Sequence, residues 1–220
     1  MSQPQLTAEE IIIDFELQVN DVTELSPDEE LELLNEKYVK ICGQKPWEFL
    51  KTPASGSILS DSIGYYITLP DDFSYFAENN QYTDNSIGIY NNADTKVIFV
   101  LSPSGAYQPY QIINFSDRRQ YRNRSGFAYL DLSSNAVRFT GNPQGSTYEF
   151  DYIKVPAKLM LDDYPIFPGQ FHKMIKYAMA TDNEILQLSP KATSYAAEND
   201  AKYQSDFLDM VYWNSQLIMN

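Results

Sequence analysis

Side chains able to do nucleophilic or metal chemistry are few in this sequence. His172 is the only histidine, and Cys42 is the only cysteine. A Ser-His-Asp or Cys-His site would therefore have to use His172, which lies beside Phe171 at the start of an amphipathic segment. A zinc site would need carboxylates for nearly every ligand, which is uncommon. A lone histidine in this context is more often a satisfied or a solvent-facing helical residue than a catalytic one, so we expect no enzyme, no metal site and no cofactor.

Two carboxylate pairs, Asp71-Asp72 and Asp162-Asp163, stand beside proline or aromatic residues. Paired acids can serve glycoside hydrolysis or bind a hard cation. Adjacent acids at a proline turn more often cap the chain or face solvent. No glycine-rich phosphate motif, neither G-x-x-x-x-G-K nor G-x-G-x-x-G, occurs. A carboxylate-based hydrolase is the weakest of the functional interpretations.

Four arginines are concentrated in one short stretch, whereas the only other arginine is Arg138. The arginine cluster consists of Arg118, Arg119, Arg122 and Arg124. It is either a solvated loop whose positive charge balances that of nearby acidic residues, or a docking loop. As a docking loop its guanidinium forks would meet carboxylates of a neighbouring copy or of a partner. Direct contact with DNA comes third, because the surrounding charge is repulsive.

The net charge of −14 limits the classes of partner that the protein can bind tightly. Tight binding of nucleic acid or of an anionic membrane needs a surplus of lysine and arginine. The charge favours either simple solubility or a surface past which a polyanion slides without sticking. Residues 1–10 show no signal-peptide pattern and no apolar run reaches membrane-spanning length, so we expect a protein made in a cytoplasm.

Helical signals mark both ends of the chain. Capping boxes at residues 7–10 and 26–29 each predict a helix, and Gly43 is a suitable stop for the second. Near the other end, Pro168-Gly169 precedes an apolar stripe, and Ser189-Pro190 interrupts it and can start a new helix. The final residues are unusually apolar for a chain end and either close the chain's own helices or insert into another protein. This candidate docking tail consists of Tyr212, Trp213, Leu217, Ile218 and Met219.

The middle of the chain has short β-rich runs separated by turn residues. They predict strands at residues 65–69, 86–90, 96–101, 110–115, 127–132, 136–140 and 146–155. Short strands with hairpin-length turns indicate an antiparallel sheet or a small sandwich. The predicted fold class is therefore α+β, a helical bundle formed by the N- and C-terminal helices with an inserted antiparallel β-rich domain. The expected domains are 1–52 plus 156–220 for the bundle and 53–155 for the insertion.

The order of these segments resembles a known family. The pattern comprises residues 45–50 with Trp47, residues 67–73 (ITLPDDF), residues 152–157 (YIKVPA), residues 166–172 (IFPGQFH) and residues 195–203 in the final helix. It is similar to that of the head-to-tail adaptor, or connector, proteins of tailed bacteriophages. The resemblance covers most of the chain and rests on order and spacing.

The resemblance implies a structural virion protein at the head-tail junction, assembled in the host cytoplasm. Such proteins form a ring, usually of twelve copies, below the portal protein, and DNA passes through the channel without specific binding. The implied partners are the portal, a tail or next neck-ring protein, and other copies of the chain, with no membrane. The portal of this family commonly receives the C-terminal segment. The alternative is a virion-associated β-rich module on a helical base that recognises a carbohydrate or receptor.

Overall fold

The computed structural model describes residues 5–19, 25–77 and 96–219, and it divides into two compact units. The helical unit comprises Met1–Leu50 and Val155–Asn220, and the sheet unit comprises Lys51–Lys154. The described helices are α1 (Ala8–Val19), α2 (Pro27–Gly43), α3 (Lys173–Ala180), α4 (Asn183–Leu188) and α5 (Pro190–Met219). The described strands are β1 (Lys51–Ser57), β2 (Leu59–Ser60), β3 (Tyr65–Thr68), β4 (Phe73–Phe76), β5 (Val97–Leu101), β6 (Tyr107–Ile113), β7 (Phe127–Asp131), β8 (Ala136–Phe139) and β9 (Thr147–Lys154). The strand predicted at 86–90 lies outside the described residues.

Local capping explains where the helices begin. At α1 the Glu10 carboxylate accepts the Thr7 N–H at 2.9 Å, and the Thr7 hydroxyl accepts the Glu10 N–H at 3.2 Å. Ser26 and Glu29 form the same reciprocal pair at α2, so both predicted capping boxes are confirmed. The Ser189 hydroxyl accepts the Ala192 N–H at 3.1 Å, and α5 begins at Pro190 as predicted.

The short helix α3 is the centre of the helical unit, because α1, α2 and α5 all pack against it. Its Met174 and Ile175 are fully buried, as are Phe15 of α1 and Leu34 of α2. None of the helices within the described ranges is long and apolar enough to cross a membrane.

One mixed, nearly closed sheet forms the second unit. Its strand order is β1-β9-β5-β6-β7-β8-β3-β2, and β4 pairs with β9 beside this path. The strands at the two ends of the order, β1 and β2, are separated in sequence only by Ile58, so the sheet curls towards closure. Its buried interior includes Ile67, Ile98, Tyr110 and Phe150.

The predicted fold class is wrong. The chain is α+β with a barrel-like mixed sheet and helices that are mostly C-terminal, not a helical bundle carrying an inserted antiparallel domain. The sheet is mixed because β6 and β7 run parallel. Strands β1, β2 and β4 were not predicted. The sequence of β1 (KTPASGS) contains glycine and proline, which are poor strand formers. Pairing with β9 along its whole length makes this segment a strand.

Gly145 stands where two backbone segments of the sheet unit meet. A Cβ atom built at Gly145 would lie 1.9 Å from the Leu101 carbonyl oxygen at the end of β5. A backbone oxygen cannot rotate away as a flexible side chain can, so only glycine fits without displacement of the strand.

We therefore expect Gly145→Ala to lower the free energy of unfolding by about 2 kcal/mol, the cost of an overpacked site. Gly43→Ala is the matched control, because its added Cβ has no atom of the described residues within 4 Å apart from those of its chain neighbours and its own helix backbone. It should stabilise α2 by up to about 1 kcal/mol. Urea unfolding of both variants measures the difference. An unchanged midpoint for Gly145→Ala would contradict the close approach.

Candidate functional site

The arginine cluster lies in the connection between the two parallel strands. Gln111, Ile112 and Ile113 of β6 pair with Phe127, Ala128 and Tyr129 of β7. Parallel neighbours cannot be joined by a tight hairpin and need a crossover of about a dozen residues. Residues 114–126 supply it, and we name them the crossover segment.

Hydrogen bonds give the crossover segment a defined shape. It opens with a 3₁₀ helix, Phe115–Arg119, and the Gln120 N–H then donates to the Asp117 carbonyl at 2.9 Å. Asn123 has a φ of 61°, the left-handed conformation that asparagine tolerates. Thr140, just after β8, accepts the Asn123 N–H on its carbonyl at 2.7 Å and donates its hydroxyl to the Arg124 carbonyl at 2.6 Å.

Two arginines of the cluster lie over aromatic rings three residues before them. The Arg118 guanidinium lies 3.6 Å from the Phe115 ring centroid and donates to the Phe115 carbonyl at 2.6 Å. The Arg124 guanidinium lies 5.8 Å from the centroid of Tyr121. Phe115 is 50% exposed, which is unusual for a phenylalanine. The sequence prediction missed these rings, because Phe115 was assigned to a strand, yet the repeated aromatic-x-x-Arg spacing was visible.

Among the described residues, no carboxylate lies within ion-pair distance of any arginine in the cluster. Arg119, Arg122 and Arg124 are exposed, and Arg118 is half-buried. Apart from the Arg118 donor that binds the Phe115 carbonyl, their guanidinium donors are therefore directed outside the described part of the chain or to solvent. Guanidinium groups beside exposed aromatic rings are typical of protein contact surfaces.

Arg138 is the opposite case, a buried arginine with its charge fully matched. Its Nε donates to Asp131 at 2.9 Å, and its terminal nitrogens donate to Asp61 at 3.1 Å. The Ser133 and Ser134 hydroxyls, followed by Arg138, hold the pKa of Asp131 well below its usual range. The backbone N–H of Ile63, with Gly64 and Arg138, lowers the pKa of Asp61.

The candidate docking tail is divided between a buried and an exposed side of α5. Trp213 packs within the helical unit, with its ring 6.2 Å from Phe49 and 6.1 Å from Phe171. Tyr212 is 69% exposed, and Leu217 is also exposed. Leu208, which the prediction did not include, is 65% exposed one turn before Tyr212. Ile218 and Met219 continue the helix, and their side chains lie outside the described part of the chain.

His172 is buried and held by backbone groups. Its Nε2 lies 2.8 Å from the Phe167 carbonyl, which can only accept, so Nε2 carries the proton. Nδ1 lies 3.0 Å from both the N–H and the carbonyl oxygen of Leu6, and in the neutral ring it accepts from the N–H. Burial lowers the pKa of His172 below 6.5, although its contacts with backbone groups of Phe167, Leu6 and Pro165 oppose this shift. Both ring nitrogens thus have structural partners.

The acidic pairs and Cys42 also have structural surroundings. Tyr152 donates to Asp72 at 2.7 Å, and burial together with this contact raises the pKa of Tyr152 to about 12. The Asp163 carboxylate accepts the Met160 N–H at 2.8 Å in a turn. Burial raises the pKa of Cys42 to about 12. In the part of the chain that the structure describes, no group of three or more His, Cys, Asp or Glu side chains is placed to hold a metal ion.

Comparison with known proteins adds no relative, since no protein-family model matches the sequence and a search of curated proteins finds none similar to it.

Replacing the buried arginine should be far more costly than replacing an exposed one. Arg138→Gln leaves Asp131 and Asp61 without their cation, and we expect it to lower the free energy of unfolding by about 3 kcal/mol. Arg122→Gln is the matched control and should change it by less than about 0.5 kcal/mol. Denaturant unfolding of both variants tests this, and equal losses would contradict the distinction.

His172 should make stability depend on pH in a defined direction. Because its folded pKa is lowered, it stabilises the fold above the unfolded pKa of about 6.5, and this contribution is lost as the pH falls through the folded pKa. We expect His172→Gln to cost about 2 kcal/mol at pH ~7.5 and clearly less at pH ~5. Comparing the wild type with the glutamine variant at each pH cancels the contribution of all other titrating groups. A cost of the substitution that does not change with pH would refute this role of His172.

Proposed function

We propose that the protein is a non-enzymatic structural subunit that docks through its arginine cluster onto acidic protein surfaces, as a head-to-tail adaptor of a tailed phage. The observation that carries the proposal is a set of four guanidinium groups with no ion-pair partner among the described residues, on a shaped segment of a chain with net charge −14. The order of sequence segments supplies the phage adaptor assignment. The proposed place of action is the head-tail junction of a virion assembled in the host cytoplasm.

Acidic protein is a better partner for the cluster than DNA. Only 16 lysines and arginines oppose 30 acids, so a phosphate backbone would meet a repulsive field beyond the cluster. Planar guanidinium forks match carboxylates bidentately, and the exposed Phe115 adds apolar contact area. DNA would pass through a channel of such subunits without specific binding.

A basic segment on an acidic chain also suits a ring. A head-to-tail interface joins two different surfaces of the same chain, and a series of such contacts closes when the rotation fits. The arginine cluster of one copy can meet acids of the next, which sets the register between copies. The copy number of twelve follows the family that the sequence resembles.

The exposed side of α5 supports contact with a portal protein. Leu208 and Tyr212 are one turn apart and both largely exposed, so they form an apolar strip near the helix end. Trp213 has the different role of holding α5 to its own unit through Phe49 and Phe171. The opposite face of the ring would contact a tail or next neck-ring protein.

A pocket in the sheet unit favours the second candidate function, recognition of a carbohydrate or receptor. The pocket has a volume of about 380 Å³, and Ser55, Tyr107, Tyr148 and Glu149 line it. Tyr107 donates to Glu149 at 3.2 Å, so a ring and a carboxylate stand together. Tyrosine faces can stack on sugars, and binding of the purified protein to a glycan array would support this function.

Removal of the cluster should prevent assembly and leave the subunit folded. We expect Arg118→Gln, Arg119→Gln, Arg122→Gln and Arg124→Gln together to reduce ring formation with purified portal protein at least tenfold, because each lost fork removes charge-assisted contacts. Native mass measurement, with and without portal, gives the copy number of wild type and variant. Circular dichroism checks that the variant is folded.

The control must change net charge equally without touching the cluster. Four exposed lysines of the helical unit serve this purpose: Lys40, Lys45, Lys158 and Lys173, each replaced by glutamine. Normal rings from the lysine variant and none from the arginine variant would support docking by the cluster. Equal rings from both would refute it, and a wild-type protein that never assembles with portal would refute the adaptor function.

A further inference from the structure

A second concentration of positive charge occurs in the helical unit, at a pocket of about 270 Å³. Gln18 of α1, Lys176 and Tyr177 of α3, and residues of α5 line it. On α5, Tyr195, Glu198, Asn199 and Lys202 share one face, because they are three or four residues apart. Lys191, from the first turn of α5, also lines the pocket. We name this site the lysine pocket.

The three lysines differ in how firmly their charge is matched. Lys191 donates to the neutral Leu17 carbonyl at 3.1 Å, and no carboxylate pairs with it among the described residues. Lys202 pairs with Glu198 four residues earlier, but both side chains are about half exposed, so the pair is weak. Lys176 pairs with Asp14 at 3.1 Å. Because Asp14 pairs with Lys176 and Glu198 pairs with Lys202, one positive charge at the pocket wall is left without a carboxylate partner in the described chain, that of Lys191.

One aromatic ring, that of Tyr177, contacts two of the ammonium groups. The Lys176 ammonium lies 5.5 Å and the Lys202 ammonium 5.6 Å from the Tyr177 ring centroid. An ammonium over a ring face is attracted by the ring's electron density. Both positive groups are thus kept beside the same tyrosine.

Asn199 adds an unused hydrogen-bond donor. Its side chain is 1% exposed, and its amide nitrogen has no hydrogen-bond partner among the described residues. Its amide oxygen accepts from the Gln18 amide nitrogen. A buried donor without an acceptor is costly and uncommon in native proteins, so an acceptor supplied from outside would be favourable.

We propose that the lysine pocket binds the oxyanion of a small molecule, a phosphate or a carboxylate group. The oxygen atoms would accept from Asn199 and neutralise the unmatched charge of Lys191, beside the weakly paired Lys202 and with Tyr177 and Tyr195 as apolar walls. The volume fits a ligand at the small end of those that protein pockets hold. The inference does not depend on the arginine cluster or on the adaptor function.

Titration with inorganic phosphate and, separately, with acetate tests the proposal on the full-length protein. Potassium chloride keeps the ionic strength constant, so general screening does not change. The readouts are the thermal midpoint and the Asn199 side-chain amide signal in a ¹H–¹⁵N spectrum, which Asn199→Asp assigns by removing it. We expect at least one of the two anions to shift the signal saturably and to raise the midpoint.

Variants of matched charge decide whether binding is local. Lys191→Gln with Lys202→Gln should weaken anion binding about fivefold or more, the effect of losing two partly exposed charges. Lys45→Gln with Lys158→Gln removes the same charge from exposed positions outside the pocket and should leave binding unchanged. Saturable shifts with phosphate alone identify a phosphate site, and shifts with acetate alone identify a carboxylate site. Absence of a response to both anions, or equal weakening in both double variants, would overturn the proposal.

Discussion

Parallel pairing of β6 with β7 is the constraint on which the candidate docking site depends. Antiparallel neighbours could have been joined by a two-residue turn, which has no room for four arginines. A parallel pair instead requires the chain to return to the same edge before the next strand begins. The crossover segment is this return, and Thr140 fixes its shape through backbone contacts with Asn123 and Arg124. The arginines are therefore presented by a shaped connection and not by a free loop.

Arginine has two different roles in the same sheet unit, and burial decides between them. Arg138 is withdrawn from water, where an unpaired charge would be prohibitively costly, and Asp61 and Asp131 both bind it. The cluster is largely exposed to solvent, so its guanidinium groups do not need carboxylate partners within the chain. Stacking of Arg118 and Arg124 on Phe115 and Tyr121 restricts their side chains beforehand, which reduces the entropy lost on docking.

Structure that is specified within one segment could be predicted from the sequence, whereas pairing between distant segments could not. The capping boxes at residues 7–10 and 26–29 and the break at Ser189-Pro190 specify helix starts through atoms at most three residues apart. Short runs of β-branched, aromatic and other apolar residues likewise indicated β5 (VIFVL) and β7 (FAYLD). Three features of the sheet depend on pairing between segments: the parallel pair of β6 and β7, the connection of the sheet ends through Ile58, and the pairing of β1 with β9. The predicted fold class was wrong because it did not include these pairings. The arginine cluster was visible because it is contiguous, and the lysine pocket was not, because α1, α3 and α5 each contribute to it.

The two basic sites suggest how a strongly acidic chain could make selective contacts. With a net charge of −14, copies of the protein repel one another over most of their surface, so association is favoured only where a local surplus of positive charge meets acids. The arginine cluster and the lysine pocket each combine cations with aromatic rings. Repulsion elsewhere then acts against wrong orientations, which gives specificity without a large apolar interface.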